Sequence, residues 1–193
     1  MFDDNTIDAP PEWREIDARS RALGFDMPSE PKTGAMLRLL AASKPEGRLL
    51  ELGTGTGLAT AWLLAGMGQG AQLVSVDSDP TVQAVARDVL GEDPGVTFII
   101  ADGLDYVRAQ APGMLDLIFA DAMPGKYEGL EETLALLKPG GLYVVDDMVP
   151  QPNWPEGHQS RVDALTVRLK SHPDLATVAL DWASGLVIAA RRS

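Results

Sequence analysis

The stretch RLLELGTGTGLATAWLL, Arg48 to Leu64, decides how the chain is read. An apolar run ends in Glu51 and Leu52. Gly53, Thr54, Gly55 and Gly57 follow, and then apolar residues at helical spacing. A glycine-rich turn between a strand and a helix lets backbone pass close to a ligand. The glycines stand as G-x-G-x-G, not as the dinucleotide fingerprint G-x-G-x-x-G, and no Gly-Lys-Ser/Thr follows to make a phosphate loop. Taken alone, the turn has a plain structural reading as a tight strand-to-helix connection.

The surrounding pattern narrows this. Further strand candidates are QLVSV (72–76), VTFII (96–100), LDLIFA (115–120), LYVVD (142–146), ATVAL (176–180) and GLVIAAR (185–191). The first five strands, RLLEL (48–52) included, are nearly unbroken apolar runs, as expected of strands buried on both faces. Helical patterns separate them: PTVQAVARDVL opens with Asp79 as N-cap and Pro80 at the first helical position, and YEGLEETLALLK stops at KPGG. This alternation predicts an α/β fold, a doubly wound, mostly parallel seven-stranded sheet. The last two strands are joined only by DWASG, so they form an antiparallel C-terminal hairpin. Two helical pieces, PEWREIDARSRAL and PKTGAMLRLLAAS, precede the first strand, with GFDMPSE as a loop between them. The expected organisation is a single domain over 1–193, with an N-terminal helical extension (1–45) and a core (48–191). VPQPNWPEG (149–157), with three prolines, reads as an exposed loop or lid.

Acids recur where strands end. Glu51 lies at the end of the first, and Asp77, 24 residues after Gly53, closes the second. Asp102 follows the third, Asp121 the fourth, and Asp146 and Asp147 the fifth. Ligands of doubly wound sheets bind at the carboxyl ends of the strands, and a carboxylate at the Asp77 position accepts hydrogen bonds from a ribose diol. Any one of these acids alone reads as a helix cap or a surface residue. Five strands ending in acids at one rim point to a site.

Composition sets the partners. With 16 basic against 28 acidic residues the net charge is −12, which repels phosphate backbones and disfavours nucleic acid. There is no cysteine, so disulfides and cysteine–zinc sites are excluded. No apolar run reaches the roughly 18 residues of a membrane span. The acidic start MFDDNTIDAPPEWREID lacks the basic and apolar regions of a secretory signal, and a cytoplasmic location is expected. The apolar pieces IDARSRALGF and AMLRLLAA, with the terminal hairpin, suggest a two-fold homodimer surface.

The sequence ELGTGTG, then VSVDSDP, ADGLDYV, DAMPGKY and LKPGGLYVVDDM, resembles the class I S-adenosylmethionine-dependent methyltransferases. It is most similar to the small catechol and caffeoyl-CoA type O-methyltransferases, over roughly residues 27–191. The resemblance implies roles. Glu51, Gly53, Thr54, Gly55 and Gly57 would shape the pocket for the amino-acid part of the cofactor. Asp77 would hold the ribose, with Ser78 beside the adenine, Asp102 near its amine and Gly103 packed nearby. Asp121 would lie near the sulfonium, and Met27 and Ser29 in a loop over the methionine end. In the metal-dependent branch, Asp121 and the acid pair Asp146–Asp147 would hold Mg2+ or a similar divalent cation. The chain departs from that branch twice. Asp147 stands where Asn is usual, and Pro124 stands where a basic lysine is usual, the nearest lysine being Lys126.

The expected activity is O-methylation of a small hydroxylated, catechol-like acceptor with a divalent metal. Hard oxygen ligands suit magnesium, and the ion would hold the deprotonated hydroxyl. Lys126 and His158 are the candidate bases without a metal. His158 also reads as a solvated helix-start residue, His172 as a helix-end residue, and Trp154 either as an acceptor wall or a loop anchor. Trp13, Trp62 and Trp182 read as core or interface residues. Two alternatives stay open: a metal-independent enzyme acting on nitrogen or a nucleic-acid base, and a cofactor-binding homologue without turnover.

Overall fold

The computed structural model describes residues 7–151 and 154–193. Seven strands form one sheet: β1 (Arg48–Leu52), β2 (Gln72–Asp77), β3 (Val96–Ile100), β4 (Leu115–Ala120), β5 (Leu137–Val145), β6 (Leu175–Leu180) and β7 (Leu186–Arg191). Their order is β3-β2-β1-β4-β5-β7-β6. β1 to β5 run parallel, and β7 runs antiparallel to both β5 and β6, so the terminal hairpin is antiparallel as its short loop requires. The order reverses between β1 and β4, which opens a crevice above their carboxyl ends.

Side-chain alternation along the strands divides the core in two. Leu49, Leu73, Leu117, Phe119 and Val144 face one layer, packed with Leu37 and Ala41 of α2 (Pro31–Ala42) and Ala59 and Leu63 of α3 (Leu58–Gly66). Ile16 of α1 (Pro11–Leu23) packs beside them with Val85 and Leu90 of α4 (Pro80–Leu90). Leu50, Leu52, Ile118, Tyr143 and Val145 face the other layer. There they meet Val107 of α5 (Gly103–Arg108), Leu130 and Leu134 of α6 (Leu130–Ala135), and Leu165 and Leu169 of α7 (His158–Ser171). The two N-terminal helices thus bury Ile16, Leu37 and Ala41 within the chain itself, and Trp62, fully buried, lies against Gly34 of α2.

Two expectations need adjustment. The helix over YEGLEETLALLK is shorter: α6 starts only after Gly129, which has φ 65°, and ends at Ala135. Leu137 is already in β5, opposite Leu115. The ladder then slips, so that Leu142 lies opposite Leu117 and Lys138–Gly141 bulge out. β3 is an edge strand rather than one buried on both faces, and Ile100 is left exposed. Part of the loop at 149–157 lies outside the described residues, as do the first six residues of the acidic start. Among the described residues, no helix is long and apolar enough to cross a membrane.

Beneath the glycine turn lies a buried polar cluster. Glu51 shares the face of β1 that meets α3, and its Oε2 accepts hydrogen bonds from Thr60 Oγ1 at 2.6 Å and Ser75 Oγ at 2.5 Å. Ser75 Oγ also lies 2.6 Å from Thr54 Oγ1, which accepts from Gln83 Nε2 at 3.1 Å. Thr54 of the turn is therefore tied to β1, β2, α3 and α4 through one network. Glu51 Oε1 has no hydrogen-bond partner. Burial raises the Glu51 carboxyl from 4.5 to about 7; the Ser75 and Thr60 hydrogen bonds oppose the rise and the charge of Asp77 adds to it.

A raised carboxyl means that the folded chain holds a proton that the unfolded chain has released. Stability from Glu51 is fully present below pH 4.5 and is lost as pH rises towards 7. Glu51→Gln removes this titration. Wild type should lose roughly 3 kcal/mol more than the variant between pH 4.5 and pH 8. Urea melts of both proteins at the two pH values measure the difference, and parallel pH dependences would contradict the assignment.

Candidate functional site

At the carboxyl ends of β1, β2, β4 and β5 the chain encloses a cavity of about 680 Å3. Gly53, Thr54, Gly55, Asp77, Asp79 and Val82 line one part of it. Gly53, with φ 99°, passes so close to β4 that a Cβ there would stand 2.8 Å from the Asp121 carbonyl oxygen. Only glycine allows that approach. Asp77 is oriented by two backbone donors: Gly55 N–H reaches Oδ2 at 2.8 Å and Asp79 N–H reaches Oδ1 at 2.9 Å. Its carboxylate lines the cavity with lone pairs left for a diol. This cradle of glycine backbone beside a fixed carboxylate fits the amino-acid and ribose parts of S-adenosylmethionine.

The other expected cofactor residues separate into groups. Met27 and Ser29 line the cavity, Met27 mostly exposed. Ser29 Oγ donates to Asp121 Oδ2 at 3.2 Å, which draws the 24–30 loop over the β4 end. Glu51 lies under the turn, fully buried, and supports it rather than lining the cavity. Gly57 likewise lies outside the lining, where a Cβ would strike that of Ala86 in α4. Ser78, Asp102 and Gly103 stand beyond the cavity edge. Asp102 is the N-cap of α5, its Oδ1 accepting from Leu104 N–H and Asp105 N–H at 2.8 and 3.0 Å, so its plain role as a cap is realised.

Lys126 enters the site despite its displaced position in the sequence. Its side chain is buried, and Nζ donates to the backbone carbonyl of Asp146 at 2.6 Å. The DAMPGKY turn makes this possible. Gly125, with φ 81°, donates its N–H to the Glu128 carbonyl at 2.7 Å. Its own carbonyl accepts from the buried Tyr143 hydroxyl. A Cβ at Gly125 would strike Leu52, so the turn lies tight on the sheet and Lys126 points inward. The Pro-Gly pair was the available signal for this turn.

Asp121 and Asp146 meet at the floor. Burial, and next the charge of Asp146, push the Asp121 carboxyl well above its usual range, while Lys126 pulls it back. Burial likewise raises Asp146 to about 6, against hydrogen bonds from Ser184 Oγ at 2.5 Å and Asp147 N–H at 2.8 Å, both to Oδ1. Asp147 has φ 57°, a conformation that Asp tolerates better than most residues.

The expected metal set, Asp121, Asp146 and Asp147, is not assembled: among the described residues no three His, Cys, Asp or Glu side chains are grouped to hold a metal ion. The donor chemistry explains why. Asp146 Oδ1 is occupied by Ser184 and the Asp147 amide, Asp121 Oδ2 by Ser29, and a lysine ammonium already supplies positive charge there. As arranged, Asp121 and Asp146 meet the Lys126 side chain rather than a shared ion.

His158 reaches the cavity from the first turn of α7. Its Nε2 lies 3.3 Å from the Tyr127 hydroxyl, and its ring packs 4.6 Å from that of Trp154. Burial, then the charges of Lys126 and Arg161, lower its pKa, with Asp147 opposing, so the imidazole is neutral at neutral pH. Burial first, and then Asp147, raises the Tyr127 phenol to about 12. Tyr127, Arg161 and Ser184 line the cavity and were missed in the sequence. Arg161, three residues after His158, was open to discovery from helical spacing. Ser184 was not, because its contact with Asp146 spans 38 residues. His172 stands apart, 3.2 Å from Glu131, and Trp182 donates from Nε1 to the Lys32 carbonyl.

A family model describing a methyltransferase domain matches residues 50–148. A Mycolicibacterium vanbaalenii protein provisionally named an O-methyltransferase is 34% identical over 134 residues, 66% of this chain and 59% of that protein. The match therefore spans about three-fifths of that relative's length. A structure provisionally named an O-methyltransferase, from Klebsiella pneumoniae, superposes with a TM-score of 0.83 at 25% identity, over 98% of this chain and 93% of its own. An O-methyltransferase of Streptomyces achromogenes involved in tomaymycin synthesis, solved with S-adenosylmethionine, gives 0.82 at 22% identity over 97% and 92%. The glycine turn, Asp77, the strand order and the match over half the chain agree: the chain belongs to the methyltransferase-domain family, with the class I S-adenosylmethionine-dependent fold.

Proposed function

We propose that the protein methylates a hydroxyl of a small aromatic acceptor, using S-adenosylmethionine and no divalent ion. The observation that carries this reading is the continuity of the cavity. One lining joins the glycine turn and Asp77 to Lys126, Tyr127 and His158. Gly53, Gly55 and Asp77 would hold S-adenosylmethionine, which when bound supplies an electrophilic methyl group at its sulfonium.

The remaining work falls to this chain's own side chains. Tyr127, Trp154 and His158 form an aromatic wall, with rings 5.5 Å (Tyr127 to His158) and 4.6 Å (Trp154 to His158) apart, that suits a flat ring. Lys126 Nζ is fixed by one bond to the Asp146 carbonyl and has two further N–H donors. A fixed ammonium in a partly dry site stabilises developing oxyanion charge with little reorganisation. The hydroxyl proton passes to neutral His158, whose lowered pKa leaves it free to accept. Lys126 and His158 would thus present a deprotonated oxygen to the methyl group that bound S-adenosylmethionine would supply, with the thioether as the leaving group. Support from relatives comes from their names: a protein that matches 66% of this chain, and 59% of whose own length is matched, is provisionally named an O-methyltransferase.

Transfer of labelled methyl from S-adenosylmethionine to phenolic and catechol acceptors tests the reading. Lys126→Met should lower kcat by roughly 100-fold or more, the range for removing one oxyanion donor. Chelator should leave the wild-type rate unchanged. A rate abolished by chelator and restored by magnesium would return the three aspartates to the role of metal ligands. Undiminished turnover in Lys126→Met would remove the lysine from the chemistry.

A further inference from the structure

Two cations share the wall around Tyr127. Lys126 Nζ lies 5.5 Å from the ring centroid and Arg161 Cζ 5.6 Å, so the two are at most about 11 Å apart. Arg161 is exposed, lines the cavity, and among the described residues has no carboxylate within ion-pairing distance. Arg19, Arg21, Arg108 and Arg168 are each paired with an acid, and Arg161 is the arginine without such a pair that lines the cavity. Asp147 lines the same cavity, and its charge acts on Tyr127 and His158, but it makes no ion pair with Arg161.

Acids line the whole cavity: Asp26, Glu30, Asp77 and Asp79 with the glycine turn, and Asp121, Asp146 and Asp147 towards Lys126 and Tyr127. Acids beside the turn suit a ligand carrying a sulfonium. Both full cations, Lys126 and Arg161, stand at Tyr127; Lys126 is engaged by Asp146, and Arg161, without an ion pair, suits a partner of the opposite sign. The aromatic wall of Tyr127, Trp154 and His158 lies beside them. A guanidinium presents a planar fork that matches a carboxylate, and Arg161 Cζ lies within cation–π distance of the Tyr127 ring, 5.6 Å from its centroid.

We propose that the acceptor is an aromatic hydroxy acid whose carboxylate is bound by Arg161 while Lys126 faces the hydroxyl to be methylated. This rests on the O-methyl transfer reading for the hydroxyl, but the carboxylate site stands on its own as a binding claim. Lys126 Nζ and Arg161 Cζ are at most about 11 Å apart, which puts both within reach of the substituents of one aromatic ring.

Binding, measured without turnover, separates the two claims. The protein is saturated with S-adenosylhomocysteine and titrated in a calorimeter with 3,4-dihydroxybenzoate or with its methyl ester. The acid should bind about tenfold more tightly than the ester at low salt, and less so as salt rises. Arg161→Gln should abolish that preference, and Arg161→Lys should keep part of it. Arg168→Gln, on the same helix but paired with Glu131, should leave it intact. Arg161 is exposed, so the variants should fold, which thermal melts verify. Equal affinity for acid and ester, a preference that survives Arg161→Gln, or no binding of either compound would overturn the proposal. An acid that binds through Arg161 but is not methylated would leave this site standing and count against O-methyl transfer.

Discussion

The site depends on one close approach, the passage of Gly53 against the backbone of Asp121. β1 and β4 are neighbours, and Asp121 N–H donates to the Leu52 carbonyl at 2.9 Å just before the chain turns at Gly53. With no side chain between them, the glycine turn and the β4 end form one surface. The surface that Asp77 completes on one side therefore meets, without a gap, the one that Lys126 and Asp146 complete on the other. A side chain at Gly53 would separate the two halves. The Glu51 network holds the turn from below, binding Thr54 through Ser75 to both flanking elements. It does so with a carboxyl that is buried and only partly satisfied, an arrangement that costs stability and persists where position matters more than stability.

Electrostatics follow the same division. Three aspartates at the ends of β4 and β5 would repel one another, and their chemistry at first suggests a divalent cation. The chain answers that repulsion in a different way. Burial favours the protonated forms of Asp121 and Asp146, and a lysine carried on a tight turn brings one fixed positive charge to the floor. A single ammonium carries less charge than a metal ion but is a directional donor. It can hold an oxyanion without drawing every carboxylate into its coordination shell.

Much of the fold was legible because apolar runs alternating with helical patterns leave few topologies. The strand positions, the antiparallel hairpin and the Asp79 cap all follow from local pattern. The misjudged helix at 127–138 shows the limit. Helical spacing continues through Leu136 and Leu137, but their burial in the sheet core favours an extended chain and a bulge over two more helical residues. In the site, the glycine turn and Asp77 were readable because their spacing is local. Lys126 looked misplaced by two residues, yet the turn at Gly125 swings it back into the site. Tyr127 and Arg161 went unread although they adjoin Lys126 and His158 by local spacing, whereas Ser184 escaped notice because what joins it to Asp146 is the folding of the terminal hairpin across the rim. No spacing along the sequence records that.

The role of the glycine turn and Asp77 in holding S-adenosylmethionine is most directly tested by calorimetric titration of S-adenosylhomocysteine into wild type, Asp77→Asn and Asp77→Ala. Asp77→Ala should weaken binding by roughly 1–3 kcal/mol, the range for hydrogen bonds to a charged group. Asp77→Asn, which keeps an acceptor for the Gly55 N–H, should lose less. Equal affinity in all three proteins, or a wild type that ignores S-adenosylhomocysteine at millimolar concentration while binding a nicotinamide dinucleotide, would contradict it.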